Sequence, residues 1–185
     1  MNEEKQILLE QDELAKTVSR MAHEVIERTG AANNLVLIGI RSRGVYVARR
    51  IGRKIHEITG VLAPVGVVDV TSYRDDRASD LVGQKVAPFE IPVSIDEKAV
   101  VLVDDVIFRG RTVRAAMEAV SQLGHPKRIL VAALVDRGAR ELPIRADIVG
   151  KNVEAGEGER INVMLEEADG VDRITLSSWR GRSVG

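Results

Sequence analysis

The sequence predicts an α/β domain built on a mainly parallel sheet with helices on both faces. Three observations carry this. Short runs such as "NLVLIGI" (Asn34–Ile40), "AVVLV" (Ala99–Val103) and "RILVAALVD" (Arg128–Asp136) are apolar almost throughout, as strands covered on both faces are. Segments of helical period lie between them, the alternation that βαβ units require. Glycine and charge collect where the apolar runs end, which is the edge where such sheets bind ligands.

Each element follows from its pattern. Asp12–Thr29 places Leu14, Val18, Met21, Ala22, Val25 and Ile26 on one helical face, with Asp12 as cap and Gly30 as stop. Asn34–Ile40 is the first strand, and after "RSRG" the segment Val45–Gly60 is the second helix. Ala63–Tyr73 is the next strand. Arg74–Pro92 is polar, contains Gly and Pro, lacks a period and is expected to be a long flexible loop; loops of this length are usually functional or disordered. Ala99–Val103 is the third strand, Thr112–Leu123 the third helix, ended by Gly124, and Arg128–Asp136 the fourth strand. Short strands near Asp147–Val149, Ile161–Leu165 and Ile174–Leu176 close the chain. No repeat or linker divides it, so one domain over residues 1–185 is expected.

Composition narrows the class. With 44% hydrophobic and 30% charged residues the chain reads as a soluble globular protein, and with 3% aromatics its core must be aliphatic. A net charge of -1 supplies no global field for nucleic acid, so any such contact must come from a local patch. The lack of Cys excludes disulfides and thiolate metal sites, and the 3 His are too scattered for a convincing metal centre. The charged start lacks the apolar core of a signal peptide, and no apolar run is long enough to span a membrane. A cytoplasmic protein without a membrane partner is expected.

Four strand ends carry charge: Arg41–Gly44, Ser72–Asp76, Asp104–Thr112 and Asp136–Arg140. The third is the most specific. In "VVLVDDVIFRGRT" a strand runs into Asp104 and Asp105, then a turn with Gly110, then a helix start at Thr112. Backbone N–H groups at a helix start favour an anion, Gly110 admits close approach, and Thr112 offers a hydroxyl as cap or phosphate donor. The acids repel phosphate, but they suit sugar hydroxyls or a hydrated Mg²⁺ beside it. Phosphate next to a diol suggests a phosphorylated ribose. The plainer reading, a strand ending in Asp-Asp before a capped helix, weighs about equally on chemistry alone. Neither a G-x-G-x-x-G fingerprint nor a Walker loop is present.

The same stretch resembles the phosphoribosyl pyrophosphate (PRPP) motif of type I phosphoribosyltransferases. "NLVLIGIRSRGVYVARRI", "VGVVDVTSYRDD" and "LVDRGARELPIRADIVGKN" are similar to the PyrR family of pyrimidine operon attenuation regulators, a likeness running from about Ser19 to the C-terminal region. The resemblance implies the type I phosphoribosyltransferase fold: a mainly parallel twisted sheet with helices on both faces, a flexible loop and small terminal strands. It implies two activities. One converts uracil and PRPP, with Mg²⁺ bound mainly through PRPP and near Asp104 and Asp105, to uridine monophosphate (UMP) and pyrophosphate. The other is uridine nucleotide-dependent binding of pyr attenuator mRNA. It also implies a homo-oligomer, whether dimer, tetramer or hexamer.

The roles it implies are residue by residue. Asp104 and Asp105 hold the ribose hydroxyls, and Val106, Ile107, Phe108, Arg109, Gly110, Arg111 and Thr112 form the rest of the nucleotide site, with the 5′-phosphate on Phe108–Thr112. Arg41, Ser42, Arg43 and Gly44 form the pyrophosphate loop, Arg43 lying beside the leaving group. Arg74, in the lid opening at Tyr73–Asp76, completes a catalytic set with Arg43, Asp104 and Asp105. Val135, Asp136 and Arg137 meet uracil; Ser19, Arg20, His23, Arg140, Arg145 and Lys151 meet RNA. The chain departs from the family at Arg109, where a small hydroxyl residue is usual, at Ala139, where His is usual, at Ser72, and at "EAGEGE" (Glu154–Glu159). Two other functions fit the same residues: a nucleotide-sensing RNA regulator with little turnover, and a transferase for another base.

Overall fold

A computed structural model describes residues 3–30, 32–70 and 89–178. The chain runs β1 (Glu3–Glu10), α1 (Gln11–Thr29), a 3₁₀ turn, β2 (Leu35–Ile40), α2 (Gly44–Thr59), β3 (Val65–Val68) and β4 (Phe89–Glu90). It continues through β5 (Ala99–Ile107), α3 (Arg111–Ser121), β6 (Arg128–Asp136), β7 (Ile148–Asn152), β8 (Glu159–Met164), α4 (Glu166–Asp169) and β9 (Arg173–Ser178). The main sheet is six-stranded in the order β4-β3-β2-β5-β6-β7. All its pairings are parallel except β3 with β4. A second, three-stranded antiparallel sheet has the order β1-β9-β8.

Both faces of the main sheet are covered, which is why its strands are uniformly apolar. Along β2, Leu35 and Leu37 join the core under α1 and α2, while Val36, Ile38 and Ile40 join the core under α3. The first core adds Leu14, Met21 and Val25 of α1, Val47, Ile51 and Ile55 of α2, and Ile161 and Ile174 of the small sheet. The second adds Val113, Ala116 and Val120 of α3.

Several boundaries differ from those the sequence suggests. β5 continues past Val103 to Ile107, so Asp104 and Asp105 lie within the strand, with Asp104 still in register with Ala133. The α1 cap is Glu10, whose N–H donates to the Glu13 carboxylate at 3.3 Å, and Asp12 sits in the first turn instead. Gly30 does end α1, at φ 77. Within the expected loop Arg74–Pro92, residues 89–90 form β4 against β3. The remainder of that loop up to residue 88 lies outside the described residues, as do Ser72 and Tyr73–Asp76. β1 has no counterpart in the sequence reading, because "EEKQILLE" mixes charge with apolar residues and its pairing to β9 has irregular register.

The connection between β8 and β9 is fastened to α2 by ion pairs. Arg50 donates to Glu167 at 2.9 and 2.5 Å and to Asp172 at 2.8 and 2.7 Å. The Arg50 hydrogen bond holds Glu167 below its ordinary 4.5. Burial pushes Asp172 upward, but the bonds from Arg50 and the Glu166 N–H outweigh it and leave it below 3.8. Both carboxyls are depressed, so their contribution is complete above the unfolded values and is lost as pH falls through the lower folded ones. Urea midpoints should therefore fall from about pH 4.5 downward. Arg50→Met should cost about 1–3 kcal/mol near neutral pH and flatten that acid slope.

Candidate active site

Asp104 and Asp105 stand near the carboxyl end of β5, at the centre of the sheet's ligand edge. Asp104 is buried, and its Oδ1 accepts the Asp105 N–H at 2.9 Å. Beyond them the chain turns through Gly110, which caps α3 at φ 91 and brings no side-chain cap to its first turn. Thr112 sits inside that turn rather than capping it. The result is a cavity of about 640 Å³ lined by Asp104, residues 106–113 and Glu141. Its walls combine two carboxylates, Asp104 and Glu141, with the positive end of a three-turn helix, a Thr hydroxyl and two guanidinium groups. That set accepts a sugar diol and an anion side by side.

The Arg41–Gly44 segment meets the acids from the neighbouring strand. Gly44 opens α2 against β5: a Cβ there would lie 2.5 Å from the Val103 carbonyl oxygen and 3.1 Å from the Asp104 Cα. Only glycine allows the helix start to sit so close. Arg43, the preceding residue, is held by Asp169 of α4, with Nε to Oδ2 at 3.1 Å and Nη2 to Oδ1 at 2.6 Å. That hydrogen bond raises the Arg43 pKa and, reciprocally, lowers that of Asp169; the Asp105 charge also acts on Arg43. Arg41 lies further out, 3.6 Å from Asp69 and 4.0 Å from Glu90, and joins Ser42 through a cis peptide bond.

The end of β6 completes the edge. Val135 pairs with Val106 and Asp136 with Ile107, so the proposed base-contacting residues adjoin the acids. The Asp136 carboxylate is already engaged, accepting from the Gly138 N–H at 2.8 Å and from Arg140 at 2.6 Å. Arg137 stacks on the Phe108 ring at 3.8 Å and donates to the carbonyls of Gly156 and Glu159. Its buried Nε has no hydrogen-bond partner among the described residues. Arg74 lies outside the described residues.

A family profile described as "Phosphoribosyl transferase domain" matches residues 5–163. The chain is 49% identical to the "Bifunctional protein PyrR" of Pelotomaculum thermopropionicum over 95% of this chain and 97% of that one. It is 51% identical to the protein of the same name from Chloroflexus aurantiacus, over 95% and 96%. The chain belongs to the PyrR family. Its architecture is the type I phosphoribosyltransferase fold. The hypoxanthine phosphoribosyltransferase of Trypanosoma cruzi superposes with a TM-score of 0.73 at 16% identity, covering 96% of this chain and 98% of that one. The hypoxanthine-guanine enzyme of Bacillus anthracis gives 0.70 at 19% identity, covering 96% and 99%. At such identities the structures speak for the fold alone.

In this PyrR-family chain the residues expected to meet RNA fall into two groups. α1 packs on β7, made close by Gly150, where a Cβ would lie 2.3 Å from the Leu134 carbonyl oxygen and 3.0 Å from Thr17. Arg20 donates to the carbonyls of Val149 and Gly150 at 3.0 and 2.6 Å, which ties α1 to the strand that carries Lys151; Ser19, half-buried, and His23, exposed, are carried on the same helix. Arg145 lines a neighbouring cavity of about 460 Å³ with Asn152 and Glu154. Arg140 lines the same cavity, but its guanidinium is engaged within the protein. Its guanidinium donates to Asp136 and to the carbonyls of Phe108, Gly138 and Ile144, stapling the loop after β6 to the loop after β5. Sequence reasoning passed over Asp169 and Glu141, whose partners lie 126 residues away for Arg43 and 30 for Arg111. No local pattern marks such pairs. Among the described residues no helix is long and apolar enough to cross a membrane.

Proposed function

We propose that this chain is a uracil phosphoribosyltransferase that also binds pyr attenuator mRNA in response to uridine nucleotides, acting as one domain in a cytoplasmic homo-oligomer. The observation that carries the enzymatic half is the adjacent acid pair, with Asp104 lining the cavity at the α3 start, which has no side-chain cap, and Asp105 acting on Arg43 on the other side. The 5′-phosphate rests on the turn 108–112 and the ribose hydroxyls donate to the acids. Uracil N1 attacks C1′ as the bond from C1′ to the pyrophosphate oxygen breaks, and the N1 proton leaves to solvent or pyrophosphate. Positive charge develops on the ribose and negative charge on the leaving group; the carboxylates face the first and Arg43 the second. The hard oxygen donors of Asp104 and Asp105 fit Mg²⁺ entering with PRPP, which would neutralise pyrophosphate charge. Arg74, with the segment opening at Tyr73–Asp76, is assigned to closing the site against water.

The regulatory half rests on family membership and on the packing of α1, which carries Ser19, Arg20 and His23, against β7, which carries Lys151, with Arg20 bonded across the contact. A second reading, a nucleotide sensor with little turnover, is favoured by one observation: Arg109 stands at the phosphate loop and is ion-paired there.

Product analysis tests both. Uracil, PRPP and Mg²⁺ should yield UMP, with hypoxanthine and guanine left unused. No UMP from the wild type, and none from Arg109→Thr, would eliminate the enzymatic half; consumption of a purine would reassign the base. Arg20→Ala should weaken UMP-dependent binding of attenuator RNA about tenfold. Unchanged RNA affinity would remove α1 from the interface.

A further inference from the structure

We propose that Glu141 is a resident counter-anion of the phosphate loop, which an incoming terminal phosphate displaces, so that this side chain sets the affinity of the site for phosphorylated ligands. The inference rests on assigning the turn 108–112 as the 5′-phosphate cradle. Each Glu141 oxygen meets one guanidinium: Oε1 lies 3.1 Å from Arg109 Nε and Oε2 accepts from Arg111 Nε at 2.7 Å. The carboxylate lines the same cavity as Asp104, Gly110 and Thr112. Its position is fixed by its own backbone, since the Glu141 and Leu142 N–H groups both donate to the Arg109 carbonyl, at 3.1 and 3.2 Å. The Arg140 staple holds the rest of that segment to Phe108.

The side chains, by contrast, lie toward solvent. Arg109, Arg111 and Glu141 are 56%, 44% and 38% exposed, so their pairing is screened. A phosphate dianion carries more charge than the carboxylate it replaces and offers more acceptor oxygens. An uncharged nucleoside gains nothing from the exchange, so the device favours 5′-phosphorylated ligands. Arg109 is what makes it: with the usual small hydroxyl residue there, Glu141 would face a single guanidinium.

The alternative role for Glu141 is a strut that orients the two arginines, and it predicts the opposite sign. Calorimetric titration with UMP, inorganic phosphate and uridine separates the two. Glu141→Gln should tighten UMP and phosphate about two- to fivefold. It should leave uridine unchanged, and the gain should shrink at high salt and in an Arg109→Thr background. UMP bound equally or more weakly by Glu141→Gln than by the wild type would overturn the inference while leaving the site assignment standing. Absence of UMP binding to every variant and to the wild type would instead overturn the site assignment and this inference with it.

Discussion

Asp105→Asn is expected to lower kcat/KM for PRPP by about 10- to 100-fold while leaving the urea midpoint nearly unchanged. Asn matches Asp in shape, so a half-buried position accommodates it. What disappears is a charge-assisted acceptor for a ribose hydroxyl, worth about 1.5–3 kcal/mol, in the state where the ribose turns cationic. The charge that bears on Arg43 goes with it. Asp104→Ala should be as damaging to activity and should also reduce stability, because Asp104 is buried and its Oδ1 receives the Asp105 N–H. Steady-state kinetics beside urea titration separates these two effects. An Asp105→Asn enzyme with wild-type kcat/KM would remove the acid pair from the chemistry.

Gly44→Ala should lower both stability and turnover. The added Cβ would lie 2.5 Å from the Val103 carbonyl oxygen, closer than real Cβ atoms come. β5 cannot yield, since it is hydrogen-bonded to β2 and β6 on either side at the centre of the sheet. The start of α2 must move instead, taking Arg43 with it and loosening the contact to Asp169. Overpacking of this kind costs about 1–3 kcal/mol. A displacement near 1 Å in a catalytic group lowers turnover roughly 100-fold. Gly60→Ala is the control: the added Cβ meets nothing within 4 Å, but φ is +72. It should lower Tm through backbone strain of about 1–2 kcal/mol and leave kinetic constants alone. Equal kinetics for the two variants would show that Gly44 does not position the site.

Much of this was legible in the sequence for one physical reason. Strands buried on two faces must be apolar at every position, so β2, β5 and β6 announce themselves as continuous runs, and the parallel sheet then dictates where ligands bind. Asp104, Asp105 and Arg43 are visible because they interrupt or follow those runs. The small sheet was less legible. β1 and β9 lie at opposite ends of the chain, and only their pairing turns "EEKQILLE" into a strand. The same limit hid the partners of the arginines. As letters, Arg20, Arg140 and Arg145 are three equivalent cations. In the fold Arg140 staples two loops, Arg20 leans on β7 carbonyls, and Arg145 lines the cavity that the Arg140 staple also borders. Charge patterning reports that a cation is present, while the pairing that decides its role depends on contacts across the whole chain.

The most direct test of the site is a crystal structure of the protein with UMP. The ribose hydroxyls should lie within about 3 Å of the Asp104 and Asp105 carboxylates, and the 5′-phosphate within the same reach of the backbone N–H groups of residues 108–112. UMP bound elsewhere at saturating concentration, with the acid pair and the α3 start untouched, would contradict the assignment.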